Sequence, residues 1–263
     1  MTLAPFGRRL LTVTRNDGLG AYRMIWAVDP GGPPDPEPGQ FYMLAAERNW
    51  GGEDGRPYLP RAFSYARADA GDLAFLLEAI GPGTDRLARL EPGEGLWATG
   101  PLGIGFKPPE RGRSLLVGGG IGAAPLLCWR DAIGHDAATL LGFRSGAHAA
   151  AAVYFPGALV ATDDGSVGRH ALVTELLREE LDRDPEATIY ACGPPPMLEA
   201  VRALCAERDV PAQLAMESGM ACGFGACFGC VVATRDGYAR VCVDGPVFEA
   251  AALESALAAG VGH

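Results

Sequence analysis

The sequence has little positive charge. Its 263 residues include a single lysine, Lys107, and 22 Lys and Arg stand against 32 Asp and Glu, which gives a formal net charge of −10. Nucleic acids and anionic membranes are bound through basic patches, so neither is expected as a main partner. Long apolar runs are also missing, since no stretch reaches the roughly 18 residues of a membrane-spanning helix. Residues 1–15 lack the apolar core and cleavage site of a signal peptide.

The evenly spread, paired cysteines of a secreted disulfide-stabilised domain are absent as well. Four of the seven cysteines crowd together near the end of the chain, and the other three stand singly in apolar stretches. The crowded four are Cys222, Cys227, Cys230 and Cys242; the single ones are Cys128, Cys192 and Cys205. This distribution indicates a cytoplasmic protein with one metal site.

The crowded cysteines follow the spacing C-x4-C-x2-C-x11-C. This spacing is the plant-type arrangement of a [2Fe-2S] cluster, in which each iron takes two thiolates besides the bridging sulfides. Glycines between the cysteines let backbone N–H groups approach the sulfurs. Zinc is one alternative, although zinc ribbons usually carry two C-x2-C pairs, and disulfides are another. The spacing therefore predicts a [2Fe-2S] cluster held by all four thiolates.

Hydrophobic runs divide the chain into two larger parts. Short strands are predicted over 10–14, 22–28, 40–44 and 73–79, with turn residues between them, which is typical of an antiparallel barrel. After the polar segment 107–113, strands over 115–117, 139–143, 158–161 and 187–192 alternate with helices ending near 133, 181 and 208. Such alternation indicates a parallel sheet covered by helices. A last helix is predicted over 249–259.

Two glycine turns follow predicted strands of the second part. Residues 115–125 read L-L-V-G-G-G-I-G-A-A-P, where an apolar strand runs into a glycine turn and a helix that suit a pyrophosphate. The strict G-x-G-x-x-G fingerprint is not met, because Pro125 replaces its last glycine, so a tight turn alone is the alternative. Residues 190–197, Y-A-C-G-P-P-P-M, form a second such turn, and Cys192 in it is either a nicotinamide contact or a core thiol.

The barrel region offers weaker signals. Residues 61–64, R-A-F-S, combine a cation, an aromatic ring and a hydroxyl, which suit a phosphate and an isoalloxazine ring but also an ordinary surface strand. Residues 81–84, G-P-G-T, form a glycine turn with a hydroxyl. Phe106 either stacks on a flavin or fills the interface between the two parts.

Together these motifs resemble the ferredoxin–NADP reductase superfamily, and within it the electron-transfer subunits of class 1B dihydroorotate dehydrogenase. Residues 61–64 and 81–84 are similar to the flavin motifs R-P-x-S and G-x-G-T. Residues 118–125 and 192–197 are similar to the two nicotinamide motifs. The segments 217–223, E-S-G-M-A-C-G, and 241–248, V-C-V-D-G-P-V-F, carry the most specific part of the resemblance.

The resemblance implies an α+β multidomain fold with three cofactor sites. These are a β-barrel FAD domain over 1–108, an α/β parallel-sheet NAD domain over 109–212 and a small [2Fe-2S] module over 213–263. The implied cofactor-binding residues are Arg61, Ala62, Phe63, Ser64, Gly83 and Thr84 for FAD, Gly120, Gly122, Cys192 and Gly193 for NAD(H), and the four crowded cysteines for the metal cluster. Because nicotinamide exchanges two electrons and the cluster one, the flavin is expected between them, with no side chain acting as acid or base.

The resemblance also implies a partner. In that family an FMN-containing catalytic subunit oxidises dihydroorotate to orotate in pyrimidine biosynthesis, and the two kinds of subunit form a heterotetramer. One alternative docks the same redox core to another enzyme, such as a hydrogenase or a bifurcating transhydrogenase. A non-catalytic, zinc-stabilised binding module is another.

Two residues depart from the family pattern, and a third bears on the choice of coenzyme. Ala62 replaces the usual proline of the flavin motif. Glu78 stands where many relatives have an arginine near the flavin phosphate, so that contact is not expected here. Arg144 follows a strand end where NADP enzymes often bind a 2′-phosphate, which leaves NADP open as an alternative to NAD.

Overall fold

The computed structural model describes residues 7–33, 35–51, 57–69, 71–134 and 137–257. Its strands are β1 Arg8–Leu19, β2 Tyr22–Val28, β3 Phe41–Ala46, β4 Arg61–Ser64, β5 Arg67–Asp69, β6 Asp72–Glu78, β7 Gly95–Leu102, β8 Arg113–Gly119, β9 Ala138–Phe143, β10 Leu159–Thr162, β11 Arg169–His170, β12 Ala187–Cys192, β13 Ala212–Ala215, β14 Val231–Thr234, β15 Gly237–Arg240 and β16 Val247–Glu249. Its α-helices are α1 Pro82–Ala88, α2 Ala123–Ile133, α3 Gly146–Ala149, α4 Val173–Arg183, α5 Pro195–Arg208 and α6 Val241–Asp244.

The N-terminal part is a rolled antiparallel sheet. Its seven strands lie in the order β4-β3-β7-β1-β2-β6-β5, and the paired neighbours all run antiparallel. The two edge strands, β4 and β5, are joined by only two buried residues, Tyr65 and Ala66. This short link holds the two edges of the sheet near one another, which confirms the predicted barrel.

The second part is a parallel sheet with one antiparallel edge strand. Its order is β11-β10-β9-β8-β12-β13-β16, and only β16 pairs antiparallel, against β13. The central strand β8 is buried on both faces, with Leu115, Leu116 and Val117 each 0% exposed, because helices cover the sheet. This arrangement confirms the predicted alternation of strands and helices.

The predicted C-terminal helix is wrong in the described residues. Residues 247–249 form β16, and residues 250–252 form one turn of 3-10 helix. The chain is drawn into extended structure here because Leu214 of β13 pairs with Phe248, while the N–H of Arg235 donates to the carbonyl of Ala252. Residues 258 and 259 of the predicted helix lie outside the described part.

Side chains from all parts of the chain share one packing interface. One core cluster contains Met43 and Leu102 of the barrel, Leu214 of the parallel sheet, and Cys230 and Cys242 near the C-terminus. A separate aromatic group closes the boundary between barrel and sheet. In it, Phe106 lies 5.6 Å from Trp129 and 5.7 Å from Tyr190, measured between ring centroids. Phe106 is 8% exposed, so it fills the interface, one of its two predicted roles.

No helix among the described residues is both long and apolar enough to cross a membrane.

Candidate functional site

The four crowded cysteines form two pairs of thiols. The side chain of Cys227 lies close enough to the Cys222 thiol to lower its pKa, and the thiol of Cys230 lies close enough to Cys242 to raise its pKa. The second pair is built by the β14–β15 hairpin, which starts directly after Cys230 and returns the chain to Cys242. The N–H of Val241 donates to the carbonyl of Cys230 at 2.8 Å, which fixes this closure.

Backbone N–H groups surround the first pair. Burial disfavours the thiolate of Cys222, but hydrogen bonds from the backbone of Phe224, Cys227 and Ala226 and from the Cys227 side chain lower its pKa to about 6. The N–H of Gly229 also donates to the sulfur of Cys227, at 3.4 Å. The loop therefore stabilises negative charge on sulfur, as a thiolate ligand requires.

The second pair is enclosed. Cys230 and Cys242 are each 2% exposed, and burial together with the neighbouring Cys230 raises the pKa of Cys242 to about 12. In the part of the chain that is described, no three His, Cys, Asp or Glu side chains converge as they would around one metal ion. Two thiol pairs suit the two irons of a [2Fe-2S] cluster, each of which takes two thiolates. The donor set thus fits a [2Fe-2S] cluster.

The cysteine loop, residues 222–230, depends on unusual backbone geometry. Gly223 and Gly225 have φ of +79° and +84°, and Phe228, which is not a glycine, has φ of +55°. A β-carbon on Gly223 would lie 2.8 Å from the sulfur of Met43 in the barrel, so the loop rests directly on β3. Arg240 lies against the same loop: its guanidinium donates to the carbonyl of Gly225 at 3.4 Å and lies 5.2 Å from the Phe228 ring centroid.

Sequence reasoning missed the parts played by Met43 and Arg240. Met43 is an ordinary core methionine by its sequence context, so no signal marks it. Arg240 stands two residues before Cys242. A positive charge this close to a predicted ligand cysteine was the sequence signal that could have identified Arg240.

The outer face of this loop is apolar and open to solvent. Phe224 is 45% exposed and Phe228 63% exposed, and Cys227 between them is also exposed. Exposed aromatic side chains in one short segment mark a surface that meets another protein. The cysteine loop therefore has one side on the barrel and the other side free to approach a partner.

The two predicted glycine turns meet at one edge of the parallel sheet. They follow β8 and β12, which are adjacent parallel strands. A β-carbon on Gly193 would lie 3.0 Å from the Cα of Gly119, and one on Gly122 would lie 2.7 Å from the backbone nitrogen of Gly193. Gly120, with φ of +55°, forms the sharp turn between them. This edge is where dinucleotides bind in sheets of this kind.

Cys192 lies at the same edge and is half-buried. Burial, followed by the nearby carboxylate of Glu217, raises the pKa of its thiol, so it is a neutral side chain at neutral pH. Glu217 is exposed and belongs to the segment that leads into the cysteine loop. Sequence reasoning did not place Glu217 near Cys192, and only the tertiary fold brings the two together.

The predicted flavin residues occupy one corner of the barrel. A β-carbon on Gly83 would lie 2.7 Å from Nε of Arg61, so the guanidinium crosses the start of α1 where only glycine leaves room. The hydroxyl of Thr84 accepts from the N–H groups of Ile80 and Gly81 and donates to the carbonyl of Gly81. Thr84 therefore shapes the turn, while Arg61 supplies a cation beside it.

Alternation along β4 divides the other flavin candidates between two faces. Phe63 packs against the barrel core together with Trp50. Ala62 and Ser64 point to the opposite side, where Ala62 pairs with Met43 and Ser64 with Phe41. Since Met43 also supports the cysteine loop, the flavin motif and the cluster ligands are separated by a single strand.

Comparisons with known proteins agree with this arrangement. Residues 217–254 match the family model described as the iron–sulfur cluster binding domain of dihydroorotate dehydrogenase B. A protein of Caldanaerobacter subterraneus, named dihydroorotate dehydrogenase B (NAD(+)), electron transfer subunit, is 37% identical over 219 residues, which cover 81% of this chain and 85% of the relative. A protein of Methanopyrus kandleri, named as a probable subunit of the same kind, is 35% identical over 238 residues, covering 86% of this chain and 84% of the relative.

Solved structures share the fold. An NADH-dependent reduced ferredoxin-NADP oxidoreductase superposes with a TM-score of 0.81 and 24% identity, covering 95% of this chain and 91% of the other. A ferredoxin reductase of carbazole 1,9a-dioxygenase gives a TM-score of 0.65 and 23% identity, with coverage of 78% and 66%. At this level of identity the likeness concerns the architecture alone.

Proposed function

The chain belongs to the family of dihydroorotate dehydrogenase B electron transfer subunits, and from this membership we propose that it carries electrons from an FMN-containing catalytic subunit to NAD+. The catalytic subunit oxidises dihydroorotate to orotate in pyrimidine biosynthesis. This chain contributes FAD and a [2Fe-2S] cluster, and the two kinds of subunit assemble as a heterotetramer in the cytoplasm.

One observation carries the proposal. The cysteine loop lies on the barrel through Gly223 and Met43 and exposes Cys227 between two aromatic rings on its other side. A one-electron carrier at this position stands between an external donor and the flavin corner of the barrel. A loop that held only a structural zinc ion would need no exposed apolar rim.

The remaining residues divide by site. Arg61 with the turn that contains Gly83 and Thr84 holds the phosphates of FAD, and Ala62 and Ser64 of β4 line the rest of it, while Phe63 supports the strand from the barrel core. The turns that contain Gly120, Gly122 and Gly193 hold NAD(H), with Cys192 at the nicotinamide end. We assign these to an FAD domain over 1–108, an NAD domain over 109–212 and a cluster module over 213–263.

The chain's own contribution to the chemistry is positioning. A flavin bound here would supply the conversion between the single electrons of an iron–sulfur cluster and the hydride that reduces NAD+. The close backbone contact between Gly122 and Gly193 fixes the coenzyme turn, and Phe106 with its aromatic neighbours closes the domain boundary to water. Neutral Cys192 neither takes nor gives a proton in such a transfer.

Purification of the native complex tests this function. We expect an FMN-containing subunit to co-purify with the chain. The complex should show flavin and [2Fe-2S] absorption and should reduce NAD+ with dihydroorotate. Recovery with a hydrogenase or transhydrogenase subunit would refute the assigned partner but not the cofactors. A colourless chain containing one zinc ion would refute both.

A further inference from the structure

Arg144 and Glu78 connect the barrel to the edge of the parallel sheet. Arg144 directly follows β9, and β9 lies next to β8, whose end carries the first glycine turn. Glu78 is the last residue of β6 in the barrel. Its Oε1 accepts a hydrogen bond from Nη2 of Arg144 at 2.7 Å, so a cation of the sheet edge is paired with a carboxylate from the other part of the chain.

His148 completes the group. Its Nε2 lies 3.2 Å from Oε1 of Glu78 and 2.9 Å from Nη2 of Arg144, and its Nδ1 lies 2.8 Å from the hydroxyl of Ser145. The ring of Tyr22 packs edge-on against the imidazole, with centroids 5.6 Å apart. The His148 and Glu78 side chains are only 16% and 22% exposed, so the carboxylate is held beside the Arg144 guanidinium in a partly enclosed position.

The loop after the neighbouring strand adds further negative charge. Asp163 and Asp164 follow β10, which pairs with β9. The N–H of Asp163 donates to the carbonyl of Phe143 at 2.9 Å, and the hydroxyl of Ser166 accepts from the N–H of Gly146 at 2.6 Å. The loop that carries both aspartates therefore abuts the loop that carries Arg144.

This position is chemically important for a dinucleotide. When the pyrophosphate lies at the turn after one strand, the adenosine ribose lies over the end of the next strand. There a carboxylate accepts from the ribose hydroxyls of NAD, whereas an unpaired arginine binds the 2′-phosphate of NADP. The chain has the arginine, but its guanidinium already faces Glu78.

We propose that Glu78, supplied by the barrel, makes the coenzyme site selective for NAD(H) by occupying Arg144 and by repelling a 2′-phosphate. The proposal rests on the nicotinamide site of the proposed function and assigns its selectivity to a residue outside the NAD domain. It predicts that neutralising Glu78 releases the Arg144 guanidinium to a 2′-phosphate and leaves the rest of the coenzyme's contacts unchanged.

The test measures NADH and NADPH oxidation by the cofactor-loaded protein with ferricyanide as acceptor. Glu78→Gln should raise kcat/KM for NADPH on the order of tenfold, the size expected from one charge-assisted contact to phosphate. The value for NADH should stay within about twofold of the native value. Adding Arg144→Gln should abolish the gain for NADPH. Glu91→Gln, an exposed carboxylate of the barrel, is the matched control and should change neither value.

Binding gives a readout that is independent of turnover. Adenosine 2′,5′-bisphosphate should bind Glu78→Gln on the order of tenfold more tightly than the native chain, while 5′-ADP should bind both equally. Glu78→Asp keeps the charge but moves it back by one methylene, so it should give a smaller increase in NADPH use and in bisphosphate affinity. This second variant keeps the test valid if the glutamine variant folds poorly. Unchanged NADPH use and bisphosphate affinity in folded variants that oxidise NADH would overturn the role of Glu78. A native chain unable to oxidise NADH would instead refute the proposed function.

Discussion

The thiol of Cys230 lies beside the thiol of Cys242 and raises its pKa, although eleven residues separate the two cysteines in the sequence. The hairpin of β14 and β15 accounts for this closeness, because its two strands pair from Val231 with Arg240 to Thr234 with Gly237. The long gap in the cysteine spacing is thus the length of one hairpin. The ligand pair is built by strand pairing and not by the cysteine loop alone.

Replacing Cys227 by serine should remove iron and inorganic sulfide from the purified protein. A serine oxygen is a poorer ligand for the cluster than a thiolate. Because Cys227 is exposed to solvent, surrounding protein does not retain a weakly bound iron at this position. Iron and sulfide analysis per mole of chain measures the loss. Cys128→Ser is the control and should keep the native iron and sulfide content, since the Cys128 thiol is buried and donates a hydrogen bond to the carbonyl of Pro125. Equal loss in both variants would contradict the ligand assignment.

Gly122→Ala should weaken NADH binding and leave FAD and iron in place. The added β-carbon would lie 2.5 Å from the carbonyl carbon of Cys192 and 2.7 Å from the nitrogen of Gly193. Backbone atoms cannot swing aside, so the two turns must separate, and a displacement near 1 Å costs roughly tenfold to a hundredfold in catalysis. Steady-state NADH oxidation with ferricyanide gives KM and kcat/KM. Gly219→Ala, where a β-carbon meets open space, should keep the native KM, and a native KM in Gly122→Ala would contradict the site.

The sequence predicted elements well where local pattern and tertiary structure agree. The predicted strands at 22–28 and 187–192 match β2 and β12 residue for residue, because each is a hydrophobic run bounded by turn residues. Strand β7 was missed: its sequence G-L-W-A-T-G-P-L contains two glycines and a proline, and pairing with β1 and β3 overrides these weak strand formers. The alanine-rich tail shows the opposite error. It was predicted as a helix because alanine favours helices, but in the structure the pairing of β16 with β13 outweighs that propensity.

In the candidate site, too, local features were predictable and tertiary contacts were not. The glycine turns predicted a shared sheet edge, which the structure shows, because strand order is visible in the sequence. The ligand set that the cysteine spacing predicts stays a prediction. The division of the cysteines into two pairs was not predictable, nor was the contact of Met43 with Gly223 or of Glu78 with Arg144. These contacts join distant parts of the chain, and a single sequence carries no signal for them.

The two half-reactions should separate in a cluster-free variant. Hydride exchange involves the flavin corner and the two glycine turns, whereas the cluster ligands lie beyond β3. Cys227→Ser, once confirmed to fold and to retain FAD, should therefore oxidise NADH with ferricyanide at near the native rate. In the complex it should lose dihydroorotate-dependent reduction of NAD+. Full dihydroorotate–NAD+ turnover by protein without iron would rule out the cluster as a relay.

The isolated chain should oxidise NADH with a dye but should not oxidise dihydroorotate. That oxidation removes a proton from a carbon next to a carbonyl, so it needs a positioned base beside a flavin. Burial raises the pKa of the Cys128 and Cys205 thiols to about 12 each, which leaves both protonated. The sole lysine, Lys107, is exposed and lies 3.9 Å from Glu249. Adding the FMN-containing subunit should restore dihydroorotate-dependent formation of NADH, followed at its absorbance. Dihydroorotate oxidation by this chain alone, free of its partner, would refute its assignment as the electron transfer subunit.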